Sequence, residues 1–131
     1  NPGFLLAVFL WPNIKLALNK NYKNIHPTIL LNEVIDNTLL KQSEIFPIQK
    51  RFAITMSEIW RLQPRFENLN PKRIYRLLGH PRFRAAYDFL LLRSSQDETL
   101  KINASWWTNF IEADEETKNK LIRQRNLKKN A

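Results

Sequence analysis

The sequence is poorest in the residues that make tight reversals and metal sites. It holds two glycines, Gly3 and Gly79, in 131 residues. Hairpin turns, phosphate-cradling loops and bulges draw on glycine for their positive-φ positions, so this scarcity argues against a β-rich design and for an all-α chain. Cysteine is absent, which excludes disulfides and thiolate metal sites and matches a reducing, cytoplasmic setting. Two histidines, His26 and His80, are too few for a zinc site. Long apolar runs are also missing. The run 4–11 stops at Pro12, well short of the ~20 residues that span a bilayer, and it lacks the basic leader of a secretion signal. No membrane role is expected. The chain does not open on Met, and it is expected to be part of a longer polypeptide.

What is present is a core-forming, basic chain. At 44% hydrophobic and 11% aromatic, it has the apolar mass to fold, and its length is that of one domain. The net charge of +9 is unevenly spread. Residues 1–49 carry +1, residues 50–93 carry +7, residues 94–116 carry −5, and residues 117–131 carry +6 with no acid among them. Eight of the ten arginines lie between Arg51 and Arg93. The guanidinium fork suits phosphate oxygens, so a polyanion is the expected partner. The charge step divides the chain into 1–49 and an arginine-rich region 50–131.

Proline placement supplies the helix boundaries. Pro2, Pro27, Pro47, Pro71 and Pro81 are read as first helical residues, where the missing N–H is not needed. Asn1 and Asn70 stand ahead of two of them as caps. The spacing predicts helices near 2–20, 27–45, 47–63, 71–78, 81–94, 99–113 and 114–128, a bundle of about six to seven helices. Pro12 is expected to kink or split the first and Pro64 to end the third. Gly79 is expected to stop the fourth in a left-handed conformation, and Asp114, Glu115 and Glu116 to favour the start of the last.

Helical periodicity then sorts the faces. Ile48, Phe52, Ile59 and Leu62 are expected to pack, with Lys50, Ser57 and Arg61 opposite. Ile74, Leu77 and Leu78 point inward, leaving Lys72, Arg73 and Arg76 outward. Phe83, Tyr87, Leu90 and Leu91 form a stripe on a helix that Ala85, Phe89 and Leu92 make apolar on its other sides too, so this helix is expected to be central. Arg84 can pair with Asp88, and Arg61 with Glu58.

The chain carries no recognisable active site. A nucleotide-transferring centre needs grouped carboxylates for Mg²⁺, and the nearest match, Glu112-Ala113-Asp114, reads as capping and solubility at a helix junction. No glycine-rich phosphate loop, GxSxG or HExxH motif occurs. No catalytic or metal-binding residue is therefore expected. His26 and His80 each precede a helix-starting proline, where a side chain can cap or pack. Trp106 or Trp107 is expected to be core, with Ile102 and Phe110 at helical spacing from Trp106; base stacking is the other role open to that pair, as it is to Trp60 and Tyr75.

The stretches RFAITMSEIWRLQPRF (51–66), RIYRLLGHPRFRAAYDFLLLRS (73–94) and WWTNF (106–110) resemble the arginine-rich C-terminal region of the bacterial poly(A) polymerase family. The opening NPGFLLAVFLWP is similar to the later part of that family's helical body. The resemblance implies a template-independent RNA adenylyltransferase, related to CCA-adding enzymes, that uses ATP and Mg²⁺ on RNA 3′ ends. It implies that the catalytic head and neck lie in polypeptide not included here, that this chain holds no cofactor itself, and that its partners are RNA and that head and neck. The RNA contacts it implies are Arg51, Arg61, Arg65, Lys72, Arg73, Arg76, Arg82 and Arg84. Departures occur at 67–70, where the family is often more basic, and at Gly79. Two other classes fit part of the pattern: a helix-turn-helix DNA-binding protein using 71–78 and 81–94, and a helical protein-interaction adaptor docking through the acidic block 94–116 or the first helix.

Overall fold

The computed structural model describes residues 1–20, 24–68 and 70–130, with side chains to residue 127. Leu69, within the 67–70 departure, lies outside the described residues. The chain is all-α, and the described residues form seven α-helices: α1 (Pro2–Asn19), α2 (Pro27–Ile45), α3 (Lys50–Leu62), α4 (Pro71–Leu78), α5 (Phe83–Gln96), α6 (Lys101–Glu112) and α7 (Glu115–Asn130). Short 3-10 segments, Gln63–Glu67 and Glu98–Leu100, precede α4 and α6. Among the described residues there is no strand. The backbone forms two compact units, 1–61 and 62–131.

The first unit is α1, α2 and nearly all of α3. Asn1 caps α1 through Oδ1, which accepts the Gly3 N–H at 2.8 Å. The helix continues through Pro12 as one element, so Pro12 does not split it. Proline deprives the Val8 carbonyl of its partner, but Val8 and Pro12 both face solvent, so water can satisfy that oxygen. Buried Ala7, Leu10 and Ile14 line the inner side of α1, and the Trp60 Nε1–H donates to the Ala7 carbonyl at 3.2 Å. Trp60 is thus a packing residue. Ser57, expected on the wet side, is buried. Its hydroxyl donates to the Ala53 carbonyl at 2.8 Å, which removes the cost of burying it.

Two prolines do not start helices. Before Pro47, Phe46 is pushed into an extended conformation (φ −155°, ψ 149°). Gln49 then receives the first helical N–H groups, from Phe52 and Ala53, so α3 begins at Lys50. Pro81 sits in a turn in which the His80 Nδ1 accepts the Arg82 N–H at 3.0 Å and the His80 carbonyl accepts the Phe83 N–H. His26 likewise caps α2, taking the Thr28 N–H on Nδ1 at 3.2 Å. His26 is a helix cap, and His80 braces the turn that leads into α5.

The second unit is built on one core. Leu62, Phe66, Ile74, Leu77, Phe83, Tyr87, Leu90, Trp107, Phe110 and Ile122 are all buried in it. The α5 stripe holds at Phe83, Tyr87 and Leu90, but Leu91 and Leu92 are exposed, so α5 has a wet side. On α6, Trp107 and Phe110 are fully buried while Ile102 is 84% exposed. The core stripe therefore runs through Trp107 and not through Ile102. Gly79 ends α4 in the right-handed region (φ −83°), so no left-handed glycine is needed there. Its N–H reaches the Tyr75 carbonyl at 3.0 Å.

Candidate nucleic-acid interface

Helix α4 presents two of its three outer cations where helix electrostatics disfavours them, Arg76 being in the last turn. Asn70 Oδ1 accepts the Lys72 N–H at 2.9 Å, Pro71 supplies the first residue, and buried Ile74 and Leu77 pin the inner face. The 3.6-residue period then leaves Lys72, Arg73 and Arg76 exposed on the outer side. Lys72 and Arg73 sit in the first turn, which contains no acid, against a dipole that costs a cation about 0.3–1 kcal/mol there. Among the described residues no carboxylate pairs with Lys72, Arg73 or Arg76. A face kept positive at an energetic cost, without internal partners, is suited to an external anion.

The remaining sequence-selected cations are placed differently. Arg65 is half-buried on the 3-10 segment just before α4. Arg82 follows the His80 cap. Arg84 lies 3.4 Å from Asp88, the expected i, i+4 pair, and stacks over the Tyr87 ring at 5.4 Å. Arg51 and Arg61 belong to the first unit. The Arg51 guanidinium lies 4.8 Å from the Phe52 ring centre, and Arg61 reaches α2, donating to Asn32 Oδ1 at 2.9 Å with Asp36 at 3.8 Å. Arg93 is structural: it donates to Gln63 Oε1 at 3.0 Å, and burial lowers its pKa while Glu67 and Asp97 pull it back up.

Aromatic groups extend the α4 face toward the C-terminal helices. Tyr75, beside Arg76, is 37% exposed and meets Phe110 of α6 edge-on at 6.0 Å. Lys118 of α7 places its Nζ 5.7 Å from the Phe110 ring centre, and Trp106 stacks on Phe110 at 4.9 Å with planes 11° apart. Lys118 and Arg125 were not singled out by the sequence reading, although the all-basic composition of 117–131 was the available signal. The side chains of Lys128 and Lys129 lie outside the described residues.

Among the described residues no group of three or more histidine, cysteine or acidic side chains is placed to hold a metal ion. Glu112 is exposed, and Asp114 Oδ1 is engaged by the Thr117 N–H at 2.8 Å. No described helix is long and apolar enough to cross a membrane.

A family model described as the polymerase A arginine-rich C-terminus matches residues 23–131. Poly(A) polymerase I of Escherichia coli O6:H1 is 33% identical over 118 residues, covering 84% of this chain and 24% of the relative. The Salmonella typhi protein of the same name is 32% identical over the same share. That of Haemophilus influenzae is 30% identical over 132 residues, covering 95% of this chain and 28% of the relative. The chain thus spans about a quarter of the length of the relatives it matches.

Proposed function

Because the chain belongs to the arginine-rich C-terminal family of poly(A) polymerase, we propose that it is the RNA-holding part of an enzyme that adds AMP from ATP to RNA 3′ ends in the cytoplasm. The observation that carries this reading is the uncompensated cationic face of α4. Lys72, Arg73 and Arg76 hold the phosphodiester backbone, releasing condensed counterions as they do so. Arg65, Arg82 and Arg84 flank them in the same unit, and Arg51 and Arg61 add contacts from the first unit. Phosphate contacts position a strand without reading its sequence, which suits an enzyme that extends RNA without a template. The adenylyl transfer itself, with ATP and Mg²⁺, belongs to the head and neck of the longer polypeptide. Helix α1, ahead of the matched stretch, exposes Leu5, Phe9 and Leu16 as the surface we assign to that polypeptide.

A helix-turn-helix reading has little support. Its recognition helix would be α5, whose open side carries Leu91 and Leu92, and a groove-reading helix must present polar side chains to base edges. The test of RNA binding is its salt dependence. Each phosphate neutralised on a single strand contributes about −0.7 to the slope of log K against log salt, so Arg73→Ala/Arg76→Ala should flatten the slope by about 1.4. Equal slopes for parent and variant, with unchanged circular dichroism, would place the RNA path elsewhere.

A further inference from the structure

Three buried hydrogen-bond donors meet at the α6–α7 crossing with no acceptor among the described residues to receive them. Arg125 donates through Nη2 to Asn103 Oδ1 at 2.7 Å, and its guanidinium lies 4.9 Å from the Trp106 ring centre. The other donors of this trio, Arg125 Nη1, Asn103 Nδ2 and Trp106 Nε1, are shielded from solvent and unbonded. Folded interiors leave few such groups, and here three fall on residues in mutual contact. The charge is unbalanced as well. Burial alone lowers the Arg125 pKa, with no carboxylate acting on it, whereas Glu67 and Asp97 support buried Arg93.

The deficit specifies what would satisfy it. The occupant must bring several acceptor oxygens, no competing donors and a negative charge. Water would satisfy individual N–H groups but leave the guanidinium uncompensated. A base carbonyl offers one neutral acceptor. A phosphodiester offers charged oxygens directed to several sides, and it matches a guanidinium fork. The cluster is linked to α4 through the Trp106–Phe110 stack and the Phe110–Tyr75 contact. Beyond Ile122, α7 turns Arg123, Gln124 and Leu127 to solvent.

We propose that Asn103, Trp106 and Arg125 form a binding site for one phosphodiester of the RNA whose other phosphates lie on α4. This inference rests on the RNA-binding reading above. Its test supplies the missing anion from within. Asn103→Asp places a carboxylate where Arg125 already donates, so the chain should melt at a higher temperature. Its affinity for single-stranded oligoadenylate should fall, and its salt slope should flatten by about 0.7, one phosphate's share. Asn109→Asp, at an exposed position on the same helix, should leave the slope unchanged. Trp106→Phe keeps the ring stack but loses the N–H, and should weaken binding equally at every salt concentration.

A more heat-stable Asn103→Asp with parental affinity and slope would make the cluster purely structural and overturn the proposal. So would an Asn109→Asp variant that flattens the slope equally. Should Asn103→Asp fail to fold, parental binding by Trp106→Phe would overturn it. If Arg73→Ala/Arg76→Ala flattens the slope and Asn103→Asp does not, only this site falls; if neither does, the α4 track falls with it and the RNA path runs elsewhere.

Discussion

The Trp107 Nε1–H donates a 2.8 Å hydrogen bond to the Phe66 main-chain oxygen, between two residues with no solvent exposure. The bond ties α6 to the 3-10 segment that carries Arg65 and leads into the Asn70 cap. The rings reinforce it, meeting edge-on at 5.3 Å. Trp107→Phe should therefore cost about 1–3 kcal/mol, since it leaves a buried carbonyl without its donor. Trp107→Ala should cost about 3–5 kcal/mol through the cavity it opens. Denaturant unfolding followed by near-ultraviolet circular dichroism measures both. A Phe variant as stable as the parent would show the bond to be dispensable.

Buried Gln63 is a bracket between α5 residues. Its Nε2 donates to the Ala86 carbonyl at 3.2 Å and its Oε1 accepts from Arg93 at 3.0 Å. Replacing Gln63 with Leu should cost about 1–3 kcal/mol by removing both of these hydrogen bonds from a buried site. In a double-mutant cycle with Arg93→Leu, residues sharing a bond should show a coupling of about 0.5–3 kcal/mol. Additive losses would mean that the two side chains act independently.

Gly3 marks the close approach of α1 to α3. A Cβ there would stand 3.0 Å from both Cβ and Cγ2 of Thr55, which is itself buried. Overpacking at so fixed a neighbour should make Gly3→Ala about 1–3 kcal/mol less stable. Thr55→Ser removes the Cγ2 contact and should recover part of that loss. A thermal melt of the two single variants and the double variant decides it, and a Gly3→Ala protein with parental melting temperature would show that α1 has room to shift.

Local chemistry made α4 legible in the sequence. Asn70-Pro71 encodes its start, and Ile74 and Leu77 alternate with Lys72, Arg73 and Arg76 at a spacing that only a helix turns into two faces. The prolines were legible only in part. Whether one is a first helical residue or belongs to the preceding turn depends on which carbonyl receives the first N–H, Gln49 for α3 and Arg82 for α5, and Pro47 and Pro81 do not determine that. Adjacent Trp106 and Trp107 were indistinguishable because the acceptor that buries one of them lies 41 residues away. Arg125 read as tail charge, since its meeting with Asn103 and Trp106 exists only once α7 crosses α6.

Asp114 gives the last prediction, and it separates capping from metal binding at Glu112-Ala113-Asp114. The Thr117 N–H donates to its carboxylate. That bond is the main reason its pKa lies below the usual aspartate value, with Lys120 and Lys118 contributing. A folded-state pKa below the unfolded one means that the carboxylate adds stability above the unfolded pKa, and that this stability is lost as pH falls through the folded pKa. Asp114→Asn keeps an acceptor oxygen but cannot titrate. It should be less stable than the parent near neutrality, with the gap closing as acid protonates Asp114 in the parent. Because the carboxylate is engaged as a cap, Mg²⁺ should leave the parent's melting temperature unchanged. The chain with ATP, Mg²⁺ and an RNA primer should extend nothing. A gap that persists into acid would remove the capping charge from the account. Extension abolished by Glu112→Ala or Asp114→Ala would instead make this pair part of a catalytic centre.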